Sequence, residues 1–133
     1  MALLRKTYPH IDPPFGAFCH AVRTGDWLFV SGLTADAVAA RGDILAQTES
    51  VLGRLKGVLE AEGGAMSDVV RVTVYVTEMD KLMEIHRIRH RYFGDALPAS
   101  TLVQVVALVR PELKIELEAI ARISRTPEVE EEE

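Results

Sequence analysis

Two carboxylates, Glu116 and Glu118, stand in a run of strict alternation near the end of the chain. Leu113, Ile115, Leu117 and Ala119 are apolar, and Lys114, Glu116, Glu118 and Ile120 fall between them. Side chains of a strand alternate between faces, so this pattern buries the first set and turns both carboxylates to the other side. A carboxylate there is either solvated or faces a cleft, where it can take a proton from water and return it to a leaving group. Ser31 and Gly32 close the apolar run Trp27-Leu28-Phe29-Val30, and a glycine at a strand end lets a ligand or another backbone approach closely. His86 and His90 stand at i, i+4, a spacing that can hold a metal. No third ligand is suggested, however, and the acid of a zinc-protease helix is missing, so no metal is expected. Cys19 alternates with Phe18 and His20 and faces away from the histidine, which favours a small buried residue over a base-assisted thiol. Phosphate loops, dinucleotide fingerprints and nucleophile elbows do not occur in the sequence.

Residues 97–123 supply two strands joined by a turn at Arg110-Pro111-Glu112. Near the start, Pro13-Pro14-Phe15-Gly16 restricts the backbone. A short strand over residues 18–22 then places Phe18, His20 and Val22 on one face, and Thr24-Gly25-Asp26 turns into a second strand ending at Ser31-Gly32. After a loop over residues 33–42, Asp43 offers an N-cap to a long helix ending at Gly63-Gly64. Its apolar stripe is Val51, Leu52, Leu55, Val58 and Leu59. Next comes a strand in which Val70, Val72, Val74 and Val76 alternate with Arg71, Thr73, Tyr75 and Thr77.

A second helix over roughly residues 80–93 has an apolar face of Leu82, Ile85, Tyr92 and Phe93, centred on Arg89 with His86 at its edge. A guanidinium at that centre snorkels to solvent, meets an acid such as Glu116 or Glu118, or binds a ligand. The element order is strand, strand, strand, helix, strand, helix, strand, strand. It predicts an α+β domain whose largely antiparallel sheet carries both helices on one face. The opposite sheet face, with Thr73, Tyr75, Glu116 and Glu118, is too mixed for plain solvent surface and points to a wet interior or an oligomer interface.

At 133 residues the chain makes one domain, expected over residues 1–125, with an acidic disordered tail over 126–133. The net charge of −5 comes from that tail. Setting aside Glu128 and Glu130 to Glu133 leaves fifteen acidic side chains against fifteen basic ones. A neutral body without a clustered basic face argues against nucleic acid as the main partner. No apolar run reaches the ~20 residues that cross a bilayer, no signal peptide is expected, and the single Cys19 rules out an internal disulfide, so a cytoplasmic location is expected.

Three segments together resemble the reactive-intermediate deaminase family, also called YjgF or L-PSP proteins: GAFCHAVRTGDWLFVSG (16–32), SDVVRVTVYVTEMD (67–80) and the stretch containing IELEAIA (115–121). The resemblance implies a chorismate-mutase-like α+β fold with a mostly antiparallel six-stranded sheet. It further implies a homotrimer with a barrel-like core, and ligand clefts between subunits. The implied activity is hydrolysis of enamines and imines, such as 2-aminoacrylate, to ketones and ammonia without a cofactor, on a small-molecule metabolite. Residue by residue, Ser31 and Gly32 match the cleft-lining serine and glycine, and Phe18 stands where tyrosine is usual. Glu116 matches the acid that positions or activates water, and His86 replaces the cleft asparagine. His20 resembles the histidine of the 2-aminomuconate deaminase branch; the other reading is a hairpin histidine satisfied by backbone groups. The arginine that pairs with a substrate carboxylate belongs directly after Pro98-Ala99, where this chain has Ser100, and Leu102 replaces a smaller neighbour. Serine offers one hydroxyl and no charge in place of a bidentate cation. Two readings follow. One is a Rid-like hydrolase that does without the usual clamp, with Glu116 as base, His86 or His20 as acid or donor, and Ser31 and Arg89 converging on the same cleft. The other is a trimer of the same fold that only binds small metabolites or partner proteins.

Overall fold

The structure, a computed structural model, describes residues 1–124; the expected acidic tail lies outside them. Six strands and two helices follow one another as β1 (Leu4–Lys6), β2 (Ala21–Thr24), β3 (Trp27–Leu33), α1 (Ile44–Ala61), β4 (Val69–Val76), α2 (Leu82–Phe93), β5 (Ala99–Gln104) and β6 (Ile115–Arg122). Short 3₁₀ turns at Ala39–Arg41 and Met66–Asp68 precede α1 and β4. The expected element order therefore holds, and one sheet takes all six strands in the order β1-β2-β3-β6-β4-β5. Only β4 and β5 run parallel, because α2 lies between them in the chain and carries it back across the sheet. Every other neighbouring pair is antiparallel.

Local chemistry sets the ends. Asp43 accepts from the Ala46 amide at 2.9 Å and caps α1 as its position predicts. Gly25, at φ +58°, turns β2 into β3 in a conformation that a side chain would strain. The stripe Val51, Leu52, Leu55, Val58 and Leu59 is buried, as are Val72, Val74 and Val76 of β4 and Ile115, Leu117, Ala119 and Ala121 of β6. They form one core with Leu28, Ile85 and Phe93, so both helices cover the same sheet face.

Two expectations are corrected. Val70 is exposed rather than in the core, because the β4–β6 register slips between Val69 and Arg71, which puts Val69 inside in its place. The strand expected over residues 18–22 begins only at Ala21. Before that point the backbone is committed elsewhere, with the Phe18 amide on the Gly16 carbonyl and the His20 amide on the Lys6 carbonyl. Phe18 is consequently exposed and His20 buried, and they do not share a strand face.

Among the described residues, the other sheet face carries no helix. Val22, Phe29, Arg71, Thr73, Glu118 and Ile120 line a depression of about 350 Å³ on it, and Trp27 and Phe29 are both more than two-fifths exposed. Tyr75 donates to Glu118 across the strands at 3.3 Å, which supplies one of the two carboxylates with a partner.

Candidate active site

Glu116 lies where β3 departs from regular pairing. The β3–β6 register shifts between Val30 and Leu33, so Ser31 and Gly32 bulge out of the ladder. Ser31 is fixed there by its amide on the His20 carbonyl at 3.0 Å and its hydroxyl on the Cys19 carbonyl at 2.7 Å. Gly32 then faces Glu116 so closely that a Cβ on it would fall 1.9 Å from the Glu116 Oε2. Only the missing side chain makes room for the carboxyl, as the strand-end glycine anticipates. Phe15, Phe18, Thr34 and Val109 complete a cavity of about 310 Å³ around it. Phe15 and Phe18 meet edge to face at 5.4 Å, and the Arg110 guanidinium lies over the Phe15 ring at 5.8 Å.

The carboxyl of Glu116 is half-buried, and among the described residues no group donates a hydrogen bond to it. Burial, with a smaller contribution from the Glu118 charge, raises its pKa above the ordinary carboxyl range. Glu118, one turn of the pleat away, is exposed and bonded to Tyr75. The two carboxylates that the alternation places side by side thus have different surroundings.

His20 sits behind this cavity with both ring nitrogens in use. Its Nδ1 accepts from the Tyr8 amide at 2.9 Å, which leaves the proton on Nε2 to be donated to the Asp12 carbonyl at 2.9 Å. The ring also stacks on Tyr8 at 6.0 Å. It lines a smaller adjoining pocket of about 90 Å³, and neither nitrogen is free for a substrate, so a role for His20 as acid or donor has no free atom to act through. Cys19 donates its thiol to the Ala21 carbonyl at 3.3 Å.

A second cleft, of about 400 Å³, opens between α2 and β5. His86, Arg89 and His90 enter it from the helix, Ser100 and Leu102 from the strand, and Phe93, Leu97 and Pro98 line the rest. Arg89 is nine-tenths buried. Its Nη2 donates to the Ser100 hydroxyl at 2.6 Å, its Nη1 approaches His86 Nδ1 at 3.5 Å, and its Nε is buried without an acceptor. No carboxylate among the described residues pairs with it. Burial lowers the Arg89 pKa, and burial together with the Arg89 charge holds His86 below the ordinary histidine value.

The ion pair of Arg89 with Glu116 or Glu118 does not form, and the ladder gives the reason. Ser100 is paired with Val72 and Leu102 with Val74, so both lie on the helix-covered face at the β5 edge. Glu116 is paired with Tyr75 on the opposite face. Within one chain the expected residues therefore gather as two groups: Phe18, Ser31, Gly32 and Glu116 in one cavity, and His86, Arg89, Ser100 and Leu102 in the other. Phe15, Thr34, Val109 and Arg110 are wall residues that sequence reasoning missed. The Pro13-Pro14 turn and the Pro111 turn that carry Phe15 and Arg110 were visible, but their approach in space was not.

Comparison with known proteins gives a consistent picture. The profile described as endoribonuclease L-PSP matches residues 10–123. A RutC family protein of Pyrococcus horikoshii is 38% identical over 114 residues, 81% of this chain and 88% of that protein. The crystal structure of a Thermotoga maritima protein, 38% identical, superposes with a TM-score of 0.82 over 92% of this chain and 98% of its own. Rv2704 of Mycobacterium tuberculosis, described as a member of the YjgF/YER057c/UK114 family, is 35% identical with a TM-score of 0.73 over 80% of this chain and 86% of its own.

Proposed function

The chain belongs to the YjgF/L-PSP family, whose fold it shares, and from that premise we propose that it is a Rid-like hydrolase releasing ammonia from a small enamine, imine or related unsaturated nitrogen compound. The observation that supports this reading best is the state of Glu116: a half-buried carboxyl with a raised pKa and no donor of its own, facing a cavity beside a glycine that yields it space. A structural carboxylate would have a partner, as Glu118 has in Tyr75. A carboxyl tuned upward by its surroundings takes a proton more readily than an ordinary carboxylate and can give it back.

In this reading protonation at carbon turns an enamine into its iminium. Glu116 removes a proton from water as the water oxygen bonds to the iminium carbon, forming a neutral carbinolamine. The same carboxyl gives that proton to nitrogen and takes up the hydroxyl proton as the carbon–nitrogen bond breaks, so a ketone and ammonia leave and the proton used at carbon is restored. No cofactor enters this balance. His86, as a neutral imidazole whose Nδ1 faces Arg89, offers an Nε2 proton as donor from the second cleft.

Bringing the two clefts together requires a second copy of the chain, which we place against the helix-free sheet face in a homotrimer with a barrel-like core. The exposed Trp27 and Phe29 and the half-buried Val22 and Ile120 give that face the apolar surface such an interface buries. The neutral charge balance of residues 1–125 offers little field to an RNA backbone, which favours a small metabolite over the nucleic acid that the profile's description suggests.

Ammonia release from freshly generated 2-aminoacrylate and from aminomuconate-type substrates, compared between wild type and Glu116→Ala, tests the proposal; equal rates in the two proteins would remove Glu116 from the chemistry. Ser100 supports the alternative, a trimer that binds a metabolite or partner without chemistry. Against it stands Arg89, which faces an open cleft instead of being locked against Glu116.

A further inference from the structure

Four charged residues, Lys114, Glu116, Glu118 and Arg122, share the outward side of the alternation that runs through β6. The two outer cations have carboxylate partners, Lys114 in Glu78 at 3.6 Å and Arg122 in Asp26 at 3.8 Å. Among the described residues, neither of the carboxylates between them is paired with a cation. Arg71 lines the same depression as Glu118, but its Nη2 donates to the Thr101 hydroxyl at 2.8 Å instead.

What Glu118 has is the Tyr75 hydroxyl at 3.3 Å, and the ladder makes that bond a diagonal one. Tyr75 stands opposite Glu116, while Thr73 stands opposite Glu118. An aromatic side chain reaches both its direct and its diagonal neighbour across a sheet, so the phenol starts beside Glu116 and ends on Glu118. Desolvation first, and the Glu118 charge second, raise the Tyr75 pKa, which keeps on the phenol the proton it donates.

Two residues along a strand span about 6.8 Å, close enough for one carboxylate to act on another at a half-buried place. The other groups lining the Glu116 cavity, Phe15, Phe18, Ser31, Gly32, Thr34 and Val109, carry no charge. The cations nearest in position are Lys114, engaged by Glu78, and Arg110, stacked on the Phe15 ring. The charge that bears on Glu116 without a counter-ion is therefore that of Glu118, in the direction already noted for the Glu116 carboxyl.

We propose that Tyr75 and Glu118 are positioning residues for Glu116, the phenol holding the Glu118 carboxylate beside the carboxyl that handles the proton. Resting on the hydrolase reading above, this assigns a role to the second carboxylate of the alternating run: a fixed negative charge favours the acid form of Glu116, which gives its proton to the departing nitrogen. Neither residue touches the substrate.

The test is titration of the Glu116 side-chain carboxyl carbon by NMR on the whole protein, its resonance assigned by its loss in Glu116→Gln. In Glu118→Gln the Glu116 midpoint should fall, yet stay above the ordinary carboxyl value because burial remains. Tyr75→Phe should lower it by a smaller amount, since the charge stays but is no longer held, and the double variant should match Glu118→Gln alone. Glu118→Asp, which keeps the charge on a shorter arm, should fall between wild type and Glu118→Gln. The difference between wild type and Glu118→Gln should shrink in high salt, which screens charge and leaves packing alone. An unchanged midpoint in Glu118→Gln or in Tyr75→Phe, or a double variant whose shift is the sum of the two, would overturn the proposal. If Glu118→Gln does not fold, Glu118→Asp and Tyr75→Phe still decide. Ammonia release across the pH range separates this idea from the hydrolase reading. Where it occurs, the limb of kcat/KM governed by Glu116 should move to lower pH in the same order of variants. A Glu116 midpoint that responds as expected in a protein releasing no ammonia ends the hydrolase reading and keeps the positioning pair. Ammonia release that needs Glu116, with a midpoint indifferent to Glu118, does the reverse.

Discussion

Glu116 and Ser100 lie on opposite faces of one sheet, the first paired with Tyr75 on the helix-free side, the second paired with Val72 beneath α2 and bonded to Arg89. Glu116 and the Arg89 cleft cannot then meet within one chain; in the proposed trimer each faces its counterpart on a neighbouring copy. Shared sites of this kind are recognised by complementation. Glu116→Gln and Arg89→Met, each inactive alone, should regain activity when refolded together in equal amounts. In a ring of three chains assembled at random, about one quarter of the interfaces join an intact Glu116 to an intact Arg89. Ammonia release near that fraction of the wild-type rate is the expected result, and a mixture as inactive as its components would argue for sites built within single chains.

Gly32 is required for the carboxyl opposite it rather than for its own backbone. A Cβ there would come within 1.9 Å of Glu116 Oε2 and 2.8 Å of its Cδ. The clashing atoms end a flexible side chain, so the fold accommodates alanine by swinging the carboxyl away. Gly32→Ala should keep its thermal midpoint within a few degrees and lose at least about tenfold in kcat, since misplacing a general base is that costly. A crystal structure of the variant with Glu116 unmoved would contradict this account.

The pH dependence of stability follows from the same carboxyl. Burial, and secondarily Glu118, raise its pKa in the folded protein, while the unfolded chain ionises near the ordinary ~4.3. Because the folded value is the higher, the folded state keeps a proton that the unfolded state has shed. The associated stability is full below the ordinary value and falls away as pH rises through the raised one. Glu116→Gln removes an ionised group from a half-buried place. It should therefore stabilise the protein at pH 7, by about 1 kcal/mol or less given the solvent reaching the group, and make no difference near pH 4. Denaturant midpoints at the two pH values check the sign.

Periodicity reports burial, and what it reports here was legible in the sequence: the α1 stripe, the inward valines of β4 and the alternation of β6 all lie where their spacing places them. It does not report which strand lies beside which. β6 is inserted between β3 and β4, and β5 lies parallel at the edge, so the pairing of Arg89 with Glu116 within one chain, one of the readings that its helix face left open, fails on topology rather than on residue type. Val70 escaped because a bulge leaves no mark on a run of alternate valines. His20 was misplaced because its partners are backbone groups of Tyr8 and Asp12, donors and acceptors that every residue carries and no sequence pattern distinguishes.

A buried network unseen in the sequence holds the N-terminal segment to the end of α1. The Glu62 carboxylate is nearly inaccessible and receives Tyr8 Oη at 2.8 Å, Arg23 at 3.4 Å and Lys6 at 3.5 Å. Desolvation and the hydrogen bond to Glu62 raise the Tyr8 pKa, so the phenol stays protonated and donates. Glu62→Ala leaves Arg23 buried with carbonyl partners alone and should cost about 3 kcal/mol, whereas Glu62→Leu with Arg23→Met, removing both charges, should recover much of that loss. A double variant no more stable than Glu62→Ala would mean that packing, not charge, dominates the site.

The coupling of His86 to Arg89 can be read directly by proton resonance. Burial first, and the neighbouring guanidinium second, hold the imidazole below the ordinary value of ~6.5, so it is neutral at pH 7 with its proton on Nε2. The depressed value means that the folded state sheds a proton that the unfolded state keeps, so the related stability is present above the ordinary value and lost as pH falls through the lower one. Arg89→Met removes the charge and leaves most of the burial. The His86 midpoint should rise in that variant yet stay below ~6.5, since the larger cause persists. Titration of the His86 Cε1 proton in both proteins measures the effect. A midpoint identical in the two would show that Arg89 and His86 do not share a site.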